Sequence, residues 1–207
     1  MKAILLIGGG GHCRACIDVI EAEGRFLIKG ILQPRSDGVD PVLGYPILGD
    51  DADLPALLAG NMHALVTVGQ IGTHAVRKRL FELLKTLKAV VPSIVSPRAY
   101  VSSHSRVEEG VLIMHGSVVN AGAKVGANTI INSLALIEHD AQIGKHCHIS
   151  TGAIANGNVV VEDGCFIGSG AVLHQGVRIG ANSIIGAGSV VTHDVSPNSL
   201  LKARRCK

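Results

Sequence analysis

From Val95 to Val191 a large aliphatic residue returns at every sixth position without an insertion, through Val101, Val107, Ile113 and so on to Ile185, with only Ala155 undersized. Four residues after each comes a compact one, such as Ala99, Ser117, Ala135, Cys147, Cys165 and Ser183, and none of the seventeen slots holds a long or charged side chain. A period of six matches neither the 3.6 of a helix nor the alternation of a hairpin meander. It predicts one short strand and one corner per hexad, wound as a parallel β-helix with three hexads to a triangular coil. The large aliphatic points inward, and the small residue fills the tight space beside the corner. Glycine directly after the aliphatic, as in Ile143-Gly144, Ile167-Gly168, Ile179-Gly180 and Ile185-Gly186, is expected to supply turn geometry. Residues eighteen apart then stack at about 4.8 Å, the spacing of adjacent strands.

The rest of the composition agrees. The chain has 207 residues, 47% of them apolar, with 26 Gly, no Trp, two Tyr and three Phe. Such a mixture suits thin aliphatic layers better than a helical bundle. The net charge is +3 and the basic residues are scattered except in the tail Lys202, Arg204, Arg205 and Lys207, which argues against a nucleic-acid partner. The apolar start Ala3 to Ile7 is too short for a signal sequence and no stretch is long enough to span a membrane, so a cytoplasmic location is expected. Five cysteines without paired spacing suggest neither a disulfide framework nor a zinc site, and Cys147 and Cys165 belong to the small inward column.

Before the repeat the texture changes. Ala3 to Ile7 reads as a buried strand, Gly8-Gly9-Gly10-Gly11 as a loop and His12 to Glu23 as a helix. A second strand is expected at Leu27 to Leu32, a loop from Gln33 to Gly44, a third strand at Ala64 to Val68 and a helix from Thr73 to Lys88. Alternating strands and helices predict a small Rossmann-like parallel α/β domain over residues 1–92, followed by the β-helix over 93–207. A glycine loop opening a helix offers free amides to a phosphate. The dinucleotide fingerprint nevertheless fails, because Cys13 stands where its last glycine belongs and Gln33-Pro34 where its acidic residue belongs, so a nicotinamide cofactor is not expected.

A coil this narrow has no interior cavity, so chemistry must lie on its outer wall. In Ile137-Glu138-His139-Asp140 the imidazole of His139 stands two places after an inward residue, hence outward, next to a carboxylate able to orient and charge it. Eighteen residues onward lies Gly157, which leaves open surface and a bare amide above the ring. His148 is expected to face outward as well, and His12 adjoins the glycine loop. The remaining histidines, His146 among them, read as surface residues.

The segments Gly8-Gly9-Gly10-Gly11-His12, Gly44-Tyr45-Pro46-Ile47-Leu48-Gly49, Val68-Gly69 with Arg77, and Ile137-Glu138-His139-Asp140 occur in an order that resembles the NeuD/PglD-type sugar O-/N-acetyltransferases. The resemblance implies a left-handed prism, a homotrimer, and acetyl-CoA held as co-substrate in the groove between two prisms, with no metal. It further implies that His139 is the general base, Asp140 its orienting acid and Gly157 the oxyanion donor. His148 and Gly157, with Ile167 and Gly186 further along, would then meet the coenzyme, while Gly8 to Gly11, His12, Gln33, Gly69 and Asn132 would hold a nucleotide-linked amino sugar. The implied reaction is N-acetylation of a nucleotide-linked 4-amino-deoxy sugar. O-acetylation of sialic-acid-like sugars and a non-catalytic, sugar-nucleotide-sensing trimeric scaffold are the alternatives. A metal lyase on the same prism needs two ligand histidines five residues apart, and no pair here has that spacing. The basic tail is a candidate contact for CoA phosphates.

Overall fold

The computed structural model describes residues 1–37, 40–58 and 62–202. The basic residues Arg204, Arg205 and Lys207, proposed to meet CoA phosphates, lie outside them. Strand β1 (Lys2–Ile7) leads through the glycine loop into helix α1 (Gly11–Glu23), and β2 (Phe26–Leu32), β3 (Ile47–Gly49) and β4 (His63–Val66) complete a parallel sheet in the order β3-β2-β1-β4. Helix α2 (Leu54–Leu57) precedes β4 and helix α3 (Ala75–Thr86) follows it. Strand β3 and helix α2 were not expected from the sequence. The three residues Ile47–Gly49 are too few to display a period, and α2 is a single turn. The close approach of β3 has a visible requirement, since a Cβ on Gly30 would stand 2.5 Å from Leu48 and 2.8 Å from the Pro46 carbonyl.

From Ile94 onward the chain winds three parallel sheets of seven, six and five two-residue strands. Their register is the predicted eighteen, as in Val125↔Ile143, Ile131↔Ile149 and Ile137↔Ala155. The inward aliphatics and small residues, Cys147 and Cys165 included, form one buried cluster. The turn geometry is placed differently from expectation. From Val107 to Ile185 positive φ falls three residues after the inward aliphatic, every sixth position from Gly110 to Gly188, rather than one residue after it. The glycines directly after the aliphatic serve close packing instead: a Cβ on Gly144, Gly168 or Gly180 would lie 2.4 to 2.7 Å from backbone of the next coil.

The three outer faces differ in chemistry. The seven-stranded face presents Ile94, Leu112 and Ile130, which share a buried cluster with Ile4, Ile17 and Ile20 of the α/β unit, so this face carries the amino-terminal domain. The six-stranded face presents Tyr100, Val118, Leu136, Ile154, Val172 and Val190, with Tyr100 and Val190 well exposed. The five-stranded face presents Arg106, Lys124, Gln142, Val160 and Arg178, a polar surface suited to water.

Polar contacts lock the α/β unit onto its face. Arg77 of α3 is fully buried; its guanidinium donates to the carbonyls of Val66 (3.0 Å) and Val68 (2.6 Å) and to the carbonyl and side chain of Asn128 in the prism (3.1 and 2.9 Å). No carboxylate pairs with it among the described residues, and burial pushes it down to about 10. Asn128 donates in turn to Nδ1 of His146, which is buried against Phe81 rather than on the surface as the sequence suggested. On the other side of the seam Asp18 of α1 meets His115 Nε2 at 2.8 Å, and His115 Nδ1 meets the buried Ser96 hydroxyl at 2.6 Å.

Candidate active site

Two groups of residues stand out, and they lie on opposite edges of the apolar six-stranded face. The first is at the corner that follows Leu136–Ile137. Asp140 takes φ 59°, which turns its carboxylate back so that Oδ2 sits 3.0 Å from His139 Nδ1. A carboxylate only accepts, so Nδ1 carries the proton and the Nε2 lone pair is left free as a base. Glycines on both sides make room for this pair. A Cβ on Gly157 would lie 2.6 Å from His139 Nε2, and one on Gly122 in the preceding coil would lie 2.3 Å from Asp140 Oδ1. The Gly157 carbonyl accepts from Gly176, while its amide donates to no described partner. The side chains of His139 and Asp140 are 55% and 61% exposed, so in one chain the pair borders an open groove shared with Glu138, Asn156, His174 and Gln175.

The second group is a cavity of about 680 Å³ at the carboxyl ends of the parallel strands. Gly8, Gly9, Gly10, Gly11, His12, Gln33 and Gly69 all line it. Gly8 takes φ 109°, donates its amide to Leu32 and accepts from the Thr67 hydroxyl at 2.7 Å, which fixes the loop. Gly10 caps α1 without any side-chain bond, and a Cβ on Gly10 or Gly11 would meet open space. The positive end of α1 therefore faces an unobstructed hollow, the arrangement that suits a phosphate.

The sequence did not reveal several other members of this wall. After Pro34 a short helical turn, Arg35–Asp37, brings Asp37 onto the cavity, where Asp51, Gln70, Thr73 and Arg79 join it. Arg79 pairs with Asp51 at 2.9 Å. The end of β2 lacks an acidic residue, and Asp37 comes to the cavity five residues beyond it, through its amide bonding to the Pro34 carbonyl, a turn that no hydrophobic period announces.

His148 belongs to the cavity rather than to open surface. Its ring does point away from the prism interior, but the docked domain covers it, leaving 6% exposed. Nδ1 lies 2.6 Å from the Gln70 carbonyl, which can only accept, so Nδ1 is protonated and Nε2 receives the Asn132 amide at 3.1 Å. His12 lies beside it, with ring centroids 6.2 Å apart. Ile167 is fully buried in the prism core, so only its backbone can approach a coenzyme. Gly186 stands at the same edge of the apolar face as Asn132, three coils further on, with its amide bonded to the Leu201 carbonyl.

Burial pushes His12 down to about 3 and His148 down to about 4, the nearby Arg77 charge reinforcing both. These rings stay neutral when folded, whereas an unfolded histidine takes up a proton near 6.5. Their contribution to stability is thus fully present above that value and lost as pH falls through the window down to about 4, then about 3. The slope approaches about 2.7 kcal/mol per pH unit only below the unfolded value, where both are fully protonated in the unfolded chain and still neutral in the folded one. Urea midpoints are expected to drop between about pH 7.5 and about pH 5.5, and to drop less in His148→Asn. An equal drop in that variant would remove His148 from this account.

The comparisons with known proteins follow the same division. The PglD N-terminal domain model matches residues 3–84, and the bacterial transferase hexapeptide (six repeats) model matches residues 158–193. Perosamine N-acetyltransferase from Caulobacter crescentus, as a histidine-to-asparagine variant with CoA and GDP-perosamine, is 32% identical with a TM-score of 0.89 over 97% of this chain and 93% of that one. The acetyltransferase domain of PglB from Neisseria gonorrhoeae, in complex with acetyl coenzyme A, is 28% identical with a TM-score of 0.87, covering 95% and 93%. WeeI from Acinetobacter baumannii, 22% identical with a TM-score of 0.86 over 98% and 97%, shares the fold. Among curated proteins none matches the sequence. With a glycine-loop α/β domain joined to a left-handed hexapeptide prism, and 32% identity to the Caulobacter enzyme across 97% of its length, the chain belongs to the NeuD/PglD-type family of sugar acetyltransferases.

Proposed function

We propose that this protein is an acetyl-CoA-dependent N-acetyltransferase acting on the amino group of a nucleotide-linked 4-amino-deoxy sugar. The observation that carries the reading is the oriented His139–Asp140 pair beneath the unengaged Gly157 amide. His139 Nε2 removes the proton as the sugar nitrogen attacks the thioester carbonyl. The C–N bond forms, the Gly157 amide holds the oxyanion, and collapse breaks the C–S bond; the proton passes from His139 to the departing thiolate. General-base catalysis offers about 10²–10⁴-fold and one oxyanion donor about 10²–10³-fold. The thioester is already activated, so alignment of two bound substrates supplies much of the rest.

The nucleotide diphosphate is assigned to the free amides of Gly10, Gly11 and His12 at the start of α1, with Gln33, Asp37 and Gly69 along the wall. GDP-perosamine, the ligand of the Caulobacter relatives, is the natural first acceptor to test.

In one chain this cavity and His139 lie on opposite sides of the apolar face. A trimer whose threefold axis runs parallel to the prism, with that face toward the axis, sets the Asn132 edge of one protomer against the His139 edge of the next. Rotation about such an axis leaves heights unchanged. Asn132 and His139 belong to one coil, so the cavity of one protomer opens toward the partner's base at the same level. Burial of Tyr100, Val118, Leu136, Ile154, Val172 and Val190 is the driving force for this assembly.

Thiol release should appear when the protein is mixed with acetyl-CoA and GDP-perosamine or a UDP-linked 4-amino sugar, with the acetyl group on nitrogen in the product. Release only with free or CMP-linked nonulosonic acids would replace this reading with O-acetylation, and none with any acceptor would leave the scaffold reading.

A further inference from the structure

Leu134 occupies a place that the rest of the prism reserves for other residues. From Gly110 to Gly188 every sixth residue has φ between 55° and 77°. Eight of these fourteen positions are Gly and three are Asn, residues that accept this conformation readily. Of the three exceptions, Asp140 orients His139 and His146 is packed into the domain seam. The third, Leu134, is 66% exposed, with its side chain folded over the bare Gly116 of the preceding coil.

Its location gives it a task. Leu134 lies two residues beyond Asn132, whose amide holds His148 Nε2, and it stands at the edge of the apolar face opposite His139, in the same coil. In the following coils the equivalent positions are Gly152, Gly170 and Gly188, where a Cβ would meet nothing within 4 Å. Descending that edge toward the level of the partner's His139, the outer wall stays bare until Leu134 closes it.

We propose that Leu134 is a specificity-determining residue of the acyl transfer: it forms the floor of the coenzyme groove and restricts the transferred group to acetyl. The inference rests on the composite-site reading above. A pantetheine arm laid along the glycine edge delivers its thioester at the height of His139 and Gly157, and the acyl chain beyond the carbonyl then meets the isobutyl group of Leu134. A pocket wall of this kind discriminates on the order of tenfold or more per added methylene.

The test uses the full-length protein and the variants Leu134→Gly and Leu134→Asn, both of which tolerate the left-handed conformation. Affinities for acetyl-, propionyl- and butyryl-CoA are measured by calorimetry, and thiol release is measured with GDP-perosamine. The wild type should prefer acetyl-CoA to butyryl-CoA, and that ratio should fall by about tenfold or more in the glycine variant, with asparagine intermediate. An unchanged ratio in either folded variant overturns the role of Leu134 while leaving acetyl transfer intact. Absence of thiol release from the wild type with every acyl-CoA and with every acceptor, GDP-perosamine, the UDP-linked 4-amino sugars and the nonulosonic acids alike, instead overturns the transferase reading and this inference with it.

Discussion

Replacing His139 with Asn is expected to lower kcat for acetyl transfer by about 10²–10⁴-fold while leaving acetyl-CoA affinity and oligomeric state unchanged. Asparagine approximates the size of the ring and can still meet the Asp140 carboxylate, so the loss isolates the free Nε2 lone pair. The groove itself should survive. The backbone at 139 and 140 is held by the coils on either side, with Asp140 N bonded to Ala121 O and Asn158 N to His139 O. Steady-state kinetics with both substrates varied would locate the change in kcat rather than in KM for acetyl-CoA. A loss of less than about tenfold would mean that another group accepts the proton.

The second large effect concerns folding. Arg77→Met should cost about 2–4 kcal/mol, because the carbonyls of Val66, Val68 and Asn128 and the Asn128 side chain each lose a buried donor, at roughly 1 kcal/mol or more apiece. Relief from burying an uncompensated charge offsets part of that, which keeps the figure below the simple sum. The loss should fall on the junction. Arg77 joins the end of β4, the start of the loop toward Gly69 and Gln70, and a prism corner, so the variant is expected to unfold in two steps as the α/β unit melts before the coils. Urea denaturation followed by circular dichroism would show this as a split transition. A single transition displaced by less than about 0.5 kcal/mol would show that apolar packing alone holds the two parts together.

The prism was legible because its constraint is local and repeats. Each inward slot tolerates only a narrow range of volumes, so the columns through Ile131, Ile137 and Ile143 are written directly into the chain. The same arithmetic placed Gly157 over His139, since stacking by eighteen needs no knowledge of the other domain. What the sequence concealed depends on long-range docking. Nothing in the hexads says which of three outward faces is covered, so the sequence places His148 outward and His146 on the surface without revealing that the amino-terminal domain buries both. The position of the turn is hidden for a different reason: glycine recurs at two places in the hexad, one for φ and one for close packing, and composition alone does not separate them. Asp37 reaches the cavity through a backbone turn onto the Pro34 carbonyl and Asp51 through the Asp50–Asp53 capping box, neither of which any apolar pattern announces.

In the composite site proposed here, one protomer supplies the base and its neighbour supplies the sugar-nucleotide cavity. Gly10→Asp offers a clean partner variant for testing it: an aspartate suits the cap of α1, whose cap position has φ −70° and no side-chain bond, yet its carboxylate occupies the place and charge of the phosphate. Each of Gly10→Asp and His139→Asn alone should be nearly inactive. Co-expressed in equal amounts they should recover about a quarter of the wild-type rate, the statistical share of interfaces that pair an intact base with an intact cavity. If the mixed protein is no more active than its parents, the base and the cavity work within a single chain and the composite site is wrong.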